Sequence, residues 1–157
     1  MKSSKKISAP SPLDAHLGFW FRFVSNNVSA RFKSLVEERE GCSVTEWVAL
    51  RALYDKPGTS HADLIQALGM TKGATSKVVT RLEERGLAKR KMAEGSGREQ
   101  LIILTQKGTD LVPRLAALAD ENDAHFFGHL SELEKTALFN ALKALVAQHE
   151  LQGPPVN

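Results

Sequence analysis

"TKGATSKVVTRLEERG", residues 71–86, decides how this chain is read. Thr71 is a good N-cap, and the apolar residues behind it recur at steps of three and four, so the stretch predicts a helix. It is oddly built for a surface helix. Lys72 falls in the first turn, where the helix dipole disfavours a cation, while Glu83 and Glu84 lie at the opposite end. Gly73 costs about 1 kcal/mol against alanine in a helix interior. Thr75, Val78, Val79 and Thr80 are β-branched and only moderate helix formers. Stability does not account for these choices. Projected at about 100° per residue, Ala74, Thr75, Val78, Val79 and Leu82 share one arc, the face expected to be buried. The other side carries Lys72, Gly73, Ser76, Lys77, Thr80 and Arg81. These are donors of several lengths beside a glycine that lets a backbone approach closely. An anionic partner explains them: lysine and arginine reach phosphates or guanine edges, and serine and threonine reach several acceptors.

The flanking sequence supports that reading. "GCSVTEWVALRALYDKPG" (residues 41–58) holds a helix that begins at a Ser43/Glu46 capping box and stops at Pro57-Gly58. "SHADLIQALG" (residues 60–69) is a short helix with Ser60 and Asp63 as its cap pattern and Gly69 as its stop. Only Met70 then precedes Thr71. Two short helices joined by a tight glycine-containing turn are a helix-turn-helix signal, whose second helix enters the major groove by its N-terminal part. Downstream, "LAKRKMAEGSGREQLIILT" (residues 87–105) reads as a hairpin: a strand over about 87–93, a tip over about 94–98 and a strand over about 99–104. Arg90 and Lys91, with Lys89, load its first strand, and Arg98 stands beside the glycine-rich tip. A thin basic ribbon beside a recognition helix follows the DNA backbone and places an arginine in the minor groove.

The rest is helical. Leu13 to about Glu40 predicts a first helix with apolar residues on two sides, to be covered by the chain's own core and a partner subunit, the alternative being one broad core face in a monomer. Thr105 caps a helix running to about Phe127, in which Pro113 either kinks the helix or delays its regular start. Ser131 and Glu134 cap a last helix with a Leu138, Leu142, Leu145 stripe. The expected organisation is a flexible tail (1–12), a helical dimerisation region drawn from both termini (13–40 and 106–150), a winged helix-turn-helix DNA-binding domain (43–105) and a second tail (151–157). The fold class is mainly α with a two-stranded β wing.

Charge is localised. The chain has 21 basic and 18 acidic residues, a net +3, yet residues 71–98 alone carry eight bases against three acids. The remainder is therefore net negative, so the positive charge forms a local footprint for nucleic acid. With one cysteine, Cys42, no internal disulfide forms. No apolar run approaches a membrane span of roughly 18 residues, and no secretory signal is seen, so a cytoplasmic protein is expected. Neither a phosphate-cradling glycine loop nor G-x-S-x-G nor H-E-x-x-H occurs, so an enzyme is not expected, and neither a cofactor nor a metal is called for. Two sensing alternatives stay open on the same fold: a thiol switch at Cys42, near a helix N-terminus, and a metal switch at His125 and His129, spaced four apart. A winged-helix module that binds a protein instead of DNA is the alternative from another class.

In "SVTEWVALRAL" (43–53), "SHADLIQALGMTKGATSKVVTRLEERGLAKR" (60–90) and "GREQLIILTQKG" (97–108) the chain resembles the multiple antibiotic resistance regulators, the MarR family of winged helix-turn-helix proteins. The resemblance extends over about 13–150. It implies a homodimer, with the first helix and the last two interlocked with the partner's, straddling a pseudo-palindromic double-stranded DNA operator. By position it makes residues 72–85 the recognition helix, with Lys72, Ser76, Lys77, Thr80 and Arg81 facing DNA, and Arg98 the wing arginine. Ser96 stands where the family often has an aspartate that braces this arginine. The resemblance also implies a repressor released by a small-molecule effector in a cleft involving Trp20, Phe23, Trp47 and the segment from Leu111.

Overall fold

The computed structural model describes residues 9–95 and 99–153. Six helices and a three-stranded sheet follow in the order α1 (Leu17–Glu40), α2 (Val44–Asp55), β1 (Thr59–Ser60), α3 (His61–Leu68), α4 (Lys72–Glu84), β2 (Ala88–Met92), β3 (Gln100–Leu104), α5 (Gln106–Phe127) and α6 (Glu132–Gln148). Most of the boundaries are set by local chemistry. Ser43 accepts from the Glu46 amide at 3.1 Å while the Glu46 carboxylate accepts from the Ser43 amide at 2.7 Å, closing the expected box at α2. Ser131 and Glu134 close a second box at α6, and Ser60, Thr71 and Thr105 cap α3, α4 and α5 by accepting from the amide three residues on. Gly86, at φ 67, lets the chain leave α4 sharply: its own amide reaches the Glu83 carbonyl, and that of Leu87 reaches Leu82 at 2.8 Å.

The first helix differs from expectation. Leu13–Ala15 form a single tight turn, His16 is extended, and α1 starts only at Leu17. The Trp20 indole N–H, donating to the Asp14 carbonyl at 2.9 Å, holds that turn against the helix. Pro113 delays nothing: α5 runs from Gln106 to Phe127 with the proline inside it, on the exposed side, where water can satisfy the carbonyl that lacks its amide partner.

The wing hairpin pairs Ala88 with Leu104 and Met92 with Gln100. The two-residue strand β1, not foreseen, pairs with the other edge of β3, giving the order β1-β3-β2 and anchoring the hairpin to the start of α3. One core lies beneath. Leu50 and Leu53 of α2, Leu64 and Leu68 of α3, Val79 and Leu82 of α4, Leu87, Ile102 of β3 and Leu115 of α5 are all fully buried together. At about 25 cal/mol per Å² of apolar surface removed from water, each such leucine contributes roughly 2 kcal/mol. In contrast, α6 buries none of its residues.

The start of α5 is locked onto the link between α4 and the wing. Thr105 donates its hydroxyl to the Gly86 carbonyl at 2.6 Å and its amide to the Leu87 carbonyl at 3.0 Å. Lys107 Nζ donates to the Arg85 carbonyl at 2.9 Å. Gly108 is required by this contact, because a Cβ there would lie 2.0 Å from the Leu87 carbonyl oxygen.

Candidate nucleic-acid interface

The α4 face falls out as its periodicity dictates. Thr75, Val78, Val79 and Leu82 are buried and Ala74 is half-buried. Lys72, Gly73, Lys77, Thr80 and Arg81 are exposed, and nothing lies within 4 Å of where a Gly73 Cβ would stand. Ser76 is half-buried, with its hydroxyl 3.1 Å from His61 Nε2 of α3. Among the described residues no hydrogen bond or ion pair engages the side chains of Lys72, Lys77, Thr80 or Arg81. Three cations thus share one open face without an acidic neighbour drawing them back. Such a face attracts a polyanion and leaves its donors available.

On the wing, Ala88 is buried and Lys89, Arg90, Lys91 and Met92 are exposed. Arg90 differs from its expected role as an open DNA contact. Its guanidinium donates to the Glu83 carboxylate at 2.6 Å, so in the free protein it braces β2 against the end of α4. Glu83, read from sequence only as an acid kept away from the groove, is the other half of that brace. Lys91 keeps only a loose 3.9 Å approach to Glu94 and stays exposed. Arg98, with Ser96, lies outside the described residues.

A family model described as the MarR family matches residues 40–99, which hold the helix-turn-helix and the first strand of the wing. The HTH-type transcriptional repressor Rv2887 of Mycobacterium tuberculosis is 30% identical over 105 residues, covering 67% of this chain and 76% of its own length. The chain belongs to the MarR family of transcriptional regulators. Its fold agrees with that of a probable transcriptional regulator from Pseudomonas aeruginosa at a TM-score of 0.72 and 28% identity, over 85% of this chain and 99% of that one. It also agrees with the Staphylococcus aureus MepR–DNA complex at a TM-score of 0.73 and 23% identity, over 85% and 98%. The family and winged fold implied by the sequence resemblance are therefore those of the molecule.

In this MarR-family chain a cleft of about 690 Å³ opens between α1, α2 and α5. Val28 and Phe32 of α1, Val44, Trp47 and Val48 of α2, and Asn122 of α5 are among its walls. Of the four residues expected there, only Trp47 lines it. Leu111 is 4% exposed and belongs to the core, because the α5 stripe Leu111, Leu115, Leu118 faces inward and the cleft begins further along, at Ala119. Trp20 and Phe23 form an aromatic cluster with Phe19 on the first turns of α1, with ring centroids 5.2–6.4 Å apart, and remain exposed. Asn122 is buried and fixes the cleft's frame: its amide donates to the Val28 carbonyl at 3.2 Å and its oxygen accepts from Arg31 at 3.1 Å.

Arg85, unremarked in the sequence, ties the reading helix to the rest. From the end of α4 it pairs with Glu46 at 3.2 Å and donates to the Cys42 sulfur at 3.3 Å and the Glu40 carbonyl at 3.2 Å. Cys42 itself is buried. Burial pushes its thiol up, outweighing the downward pull of Arg85, which is the opposite of an activated thiolate. The metal alternative loses its geometry, since α5 ends at Phe127 and His129 lies beyond the helix that carries His125. Among the described residues no three metal-ligating side chains cluster, and no helix is long and apolar enough to cross a membrane.

Proposed function

We propose that this regulator is a homodimeric repressor whose two α4 helices read the half-sites of a pseudo-palindromic operator. The observation that carries the reading is the open α4 face, on which Lys72, Lys77, Thr80 and Arg81 stand exposed without partners among the described residues while the opposite face is core. Lys72, Gly73, Ser76, Lys77, Thr80 and Arg81 enter the major groove. Lys91 and Arg98, and Arg90 once it leaves Glu83, follow the backbone from the wing. Dimerisation is supported by α6, which buries nothing within its own chain and exposes Leu133, Phe139 and Val146 at 84%, 61% and 49%. Leu17, Trp20 and Phe23 of α1 are exposed as well. An apolar area of this extent on a monomer calls for a partner. The α1–α2–α5 cleft, with Trp47 on its wall and an apolar lining, is the place for a small-molecule effector.

Light scattering at micromolar concentration, followed by titration of mixed-sequence duplex DNA at several salt concentrations, tests both parts. A mass of two chains, with affinity falling steeply as salt rises, is the expected result. A monomer would overturn the dimer, and salt-independent binding or none would overturn the assignment of the basic face.

A further inference from the structure

The half-buried bond between His61 and Ser76 joins the first helix of the helix-turn-helix to the middle of its reading face. Ser76 lies one turn beyond Lys72, and among the polar groups on that face its hydroxyl is the one whose direction the protein constrains. A serine hydroxyl has one proton to donate and two lone pairs to accept with. Its partner decides which of these points outward. When Nε2 of His61 is unprotonated it accepts the serine proton, and Ser76 offers the DNA only an acceptor. When Nε2 carries a proton, in the imidazolium or in the neutral Nε2–H tautomer, it donates to the serine oxygen, and the serine proton is released toward the DNA. In the major groove these two states favour different bases. An outward acceptor matches the amino groups of cytosine or adenine, and an outward donor matches guanine O6 and N7 or thymine O4.

We propose that His61, with its neutral ring carrying the proton on Nδ1, is a specificity-positioning residue, one that never touches a base but sets whether Ser76 reads as a donor or an acceptor. This rests on the assignment of α4 as the DNA-reading helix. Histidine suits the task because its ring nitrogens change role in the neutral pH range. The charged groups on the elements packed about it are already matched or turned to solvent. Asp63 of α3 is held by Lys56 at 2.8 Å, and on α2 Arg51 pairs with Asp55 at 2.8 Å. Lys72 and Lys77 of α4 are exposed, and β3 carries no charged residue.

The experiment uses the full chain and random duplex DNA, with selection and quantitative binding at about pH 5.5 and 7.5, either side of the imidazole range. Ser76→Ala identifies the operator position that Ser76 reads, as the position at which discrimination collapses. At that position the wild type is expected to shift from cytosine or adenine toward guanine or thymine at the lower pH, by about threefold to tenfold, the worth of one hydrogen bond. His61→Gln keeps a hydrogen-bonding side chain that does not titrate. It is expected to bind and fold normally while its preference there stays constant with pH. A preference that is pH-independent in wild type, or that shifts equally in His61→Gln, overturns the proposal while leaving the DNA-reading assignment standing. Loss of thermal stability alone in His61→Gln, with base preference and its pH dependence intact, makes the bond mere packing and also overturns it. Failure of the wild type to enrich any sequence overturns the DNA-reading assignment itself, and this proposal with it.

Discussion

Replacing Gly108 with alanine should destabilise this protein, against the ordinary rule for helices. Inside a helix, glycine to alanine gains about 0.5–1 kcal/mol by restricting the unfolded chain and improving propensity. Gly108 is the third residue of α5 and is buried, so local reasoning alone predicts that gain. The packing reverses it. The added Cβ would stand 2.0 Å from the Leu87 carbonyl oxygen, 3.0 Å from the Leu87 carbonyl carbon and 3.3 Å from the Leu104 side chain. An ordinary contact needs more than 1 Å of relief, and the obstacle is backbone rather than a flexible side-chain end. The Leu87 oxygen also accepts the Thr105 amide at 3.0 Å, so moving it strains a hydrogen bond that seats α5 on the wing. Overpacking of this kind costs about 1–3 kcal/mol and the hydrogen bond about 1 kcal/mol. After the propensity gain, a net loss of about 1–3.5 kcal/mol remains. For a chain of this size that lowers Tm by several degrees. Circular dichroism melting, wild type and variant at the same protein concentration, measures it. A variant as stable as wild type or more so would show that α5 does not press on the α4–wing link as described.

Three further outcomes follow from other parts of the structure. Thr75 is fully buried beneath the reading face, and its hydroxyl oxygen has no partner among the described residues. Thr75→Val should therefore raise stability by about 1–2 kcal/mol in urea unfolding with DNA affinity unchanged, and a less stable variant would mean the hydroxyl is satisfied. On the operator, Arg81→Ala should relax preference at one position of each half-site by about 1–3 kcal/mol. Lys91→Ala should instead weaken all sequences alike and flatten the salt dependence; the reverse pattern in competition binding would exchange their roles. Glu121 is hydrogen-bonded by Arg39 at 2.6 Å and approached by Arg31 at 3.3 Å, which hold its carboxyl below the ordinary value of 4.5. A carboxylate with a depressed folded-state pKa stabilises above its unfolded pKa and loses that contribution as pH falls toward the folded one. Wild type should thus exceed Glu121→Gln in stability at neutral pH, with the difference shrinking as pH falls below about 4.5. A difference constant down to pH 3 would exclude the ion pair as its source.

What could be read in the sequence was the chemistry that acts within a few residues. The Ser43/Glu46 and Ser131/Glu134 boxes, the Thr71 cap and the inward arc of α4 each depend on neighbours three or four positions away, and each is where the pattern put it. The open cationic face followed from the same arc. What escaped depends on contacts between distant segments. β1 is two residues long and becomes a strand only because β3 lies beside it. Arg85 belongs to a helix end that reads as solvent-facing, and only the fold brings Glu46 and Cys42 to it. Arg90 looked like one more base in a basic strand until the hairpin set it against Glu83. The family resemblance puts Trp20 and Phe23 in a cleft, whereas in the fold both stay exposed on the first turns of α1, away from the α1–α2–α5 walls. The glycine of "LTQKG" was part of a recognised pattern, and its physical reason, the Leu87 carbonyl, appeared only with the structure.

Selection of binding sites from random duplex DNA at near-physiological salt tests the central claim most directly, that the exposed face of α4 reads sequence twice over. The account predicts enrichment of a two-fold-symmetric site with half-sites about one helical turn apart, its symmetry kept and its information content reduced in Arg81→Ala. Enrichment of no sequence, with only weak salt-sensitive binding, would contradict it, because the basic face would then hold DNA without reading it.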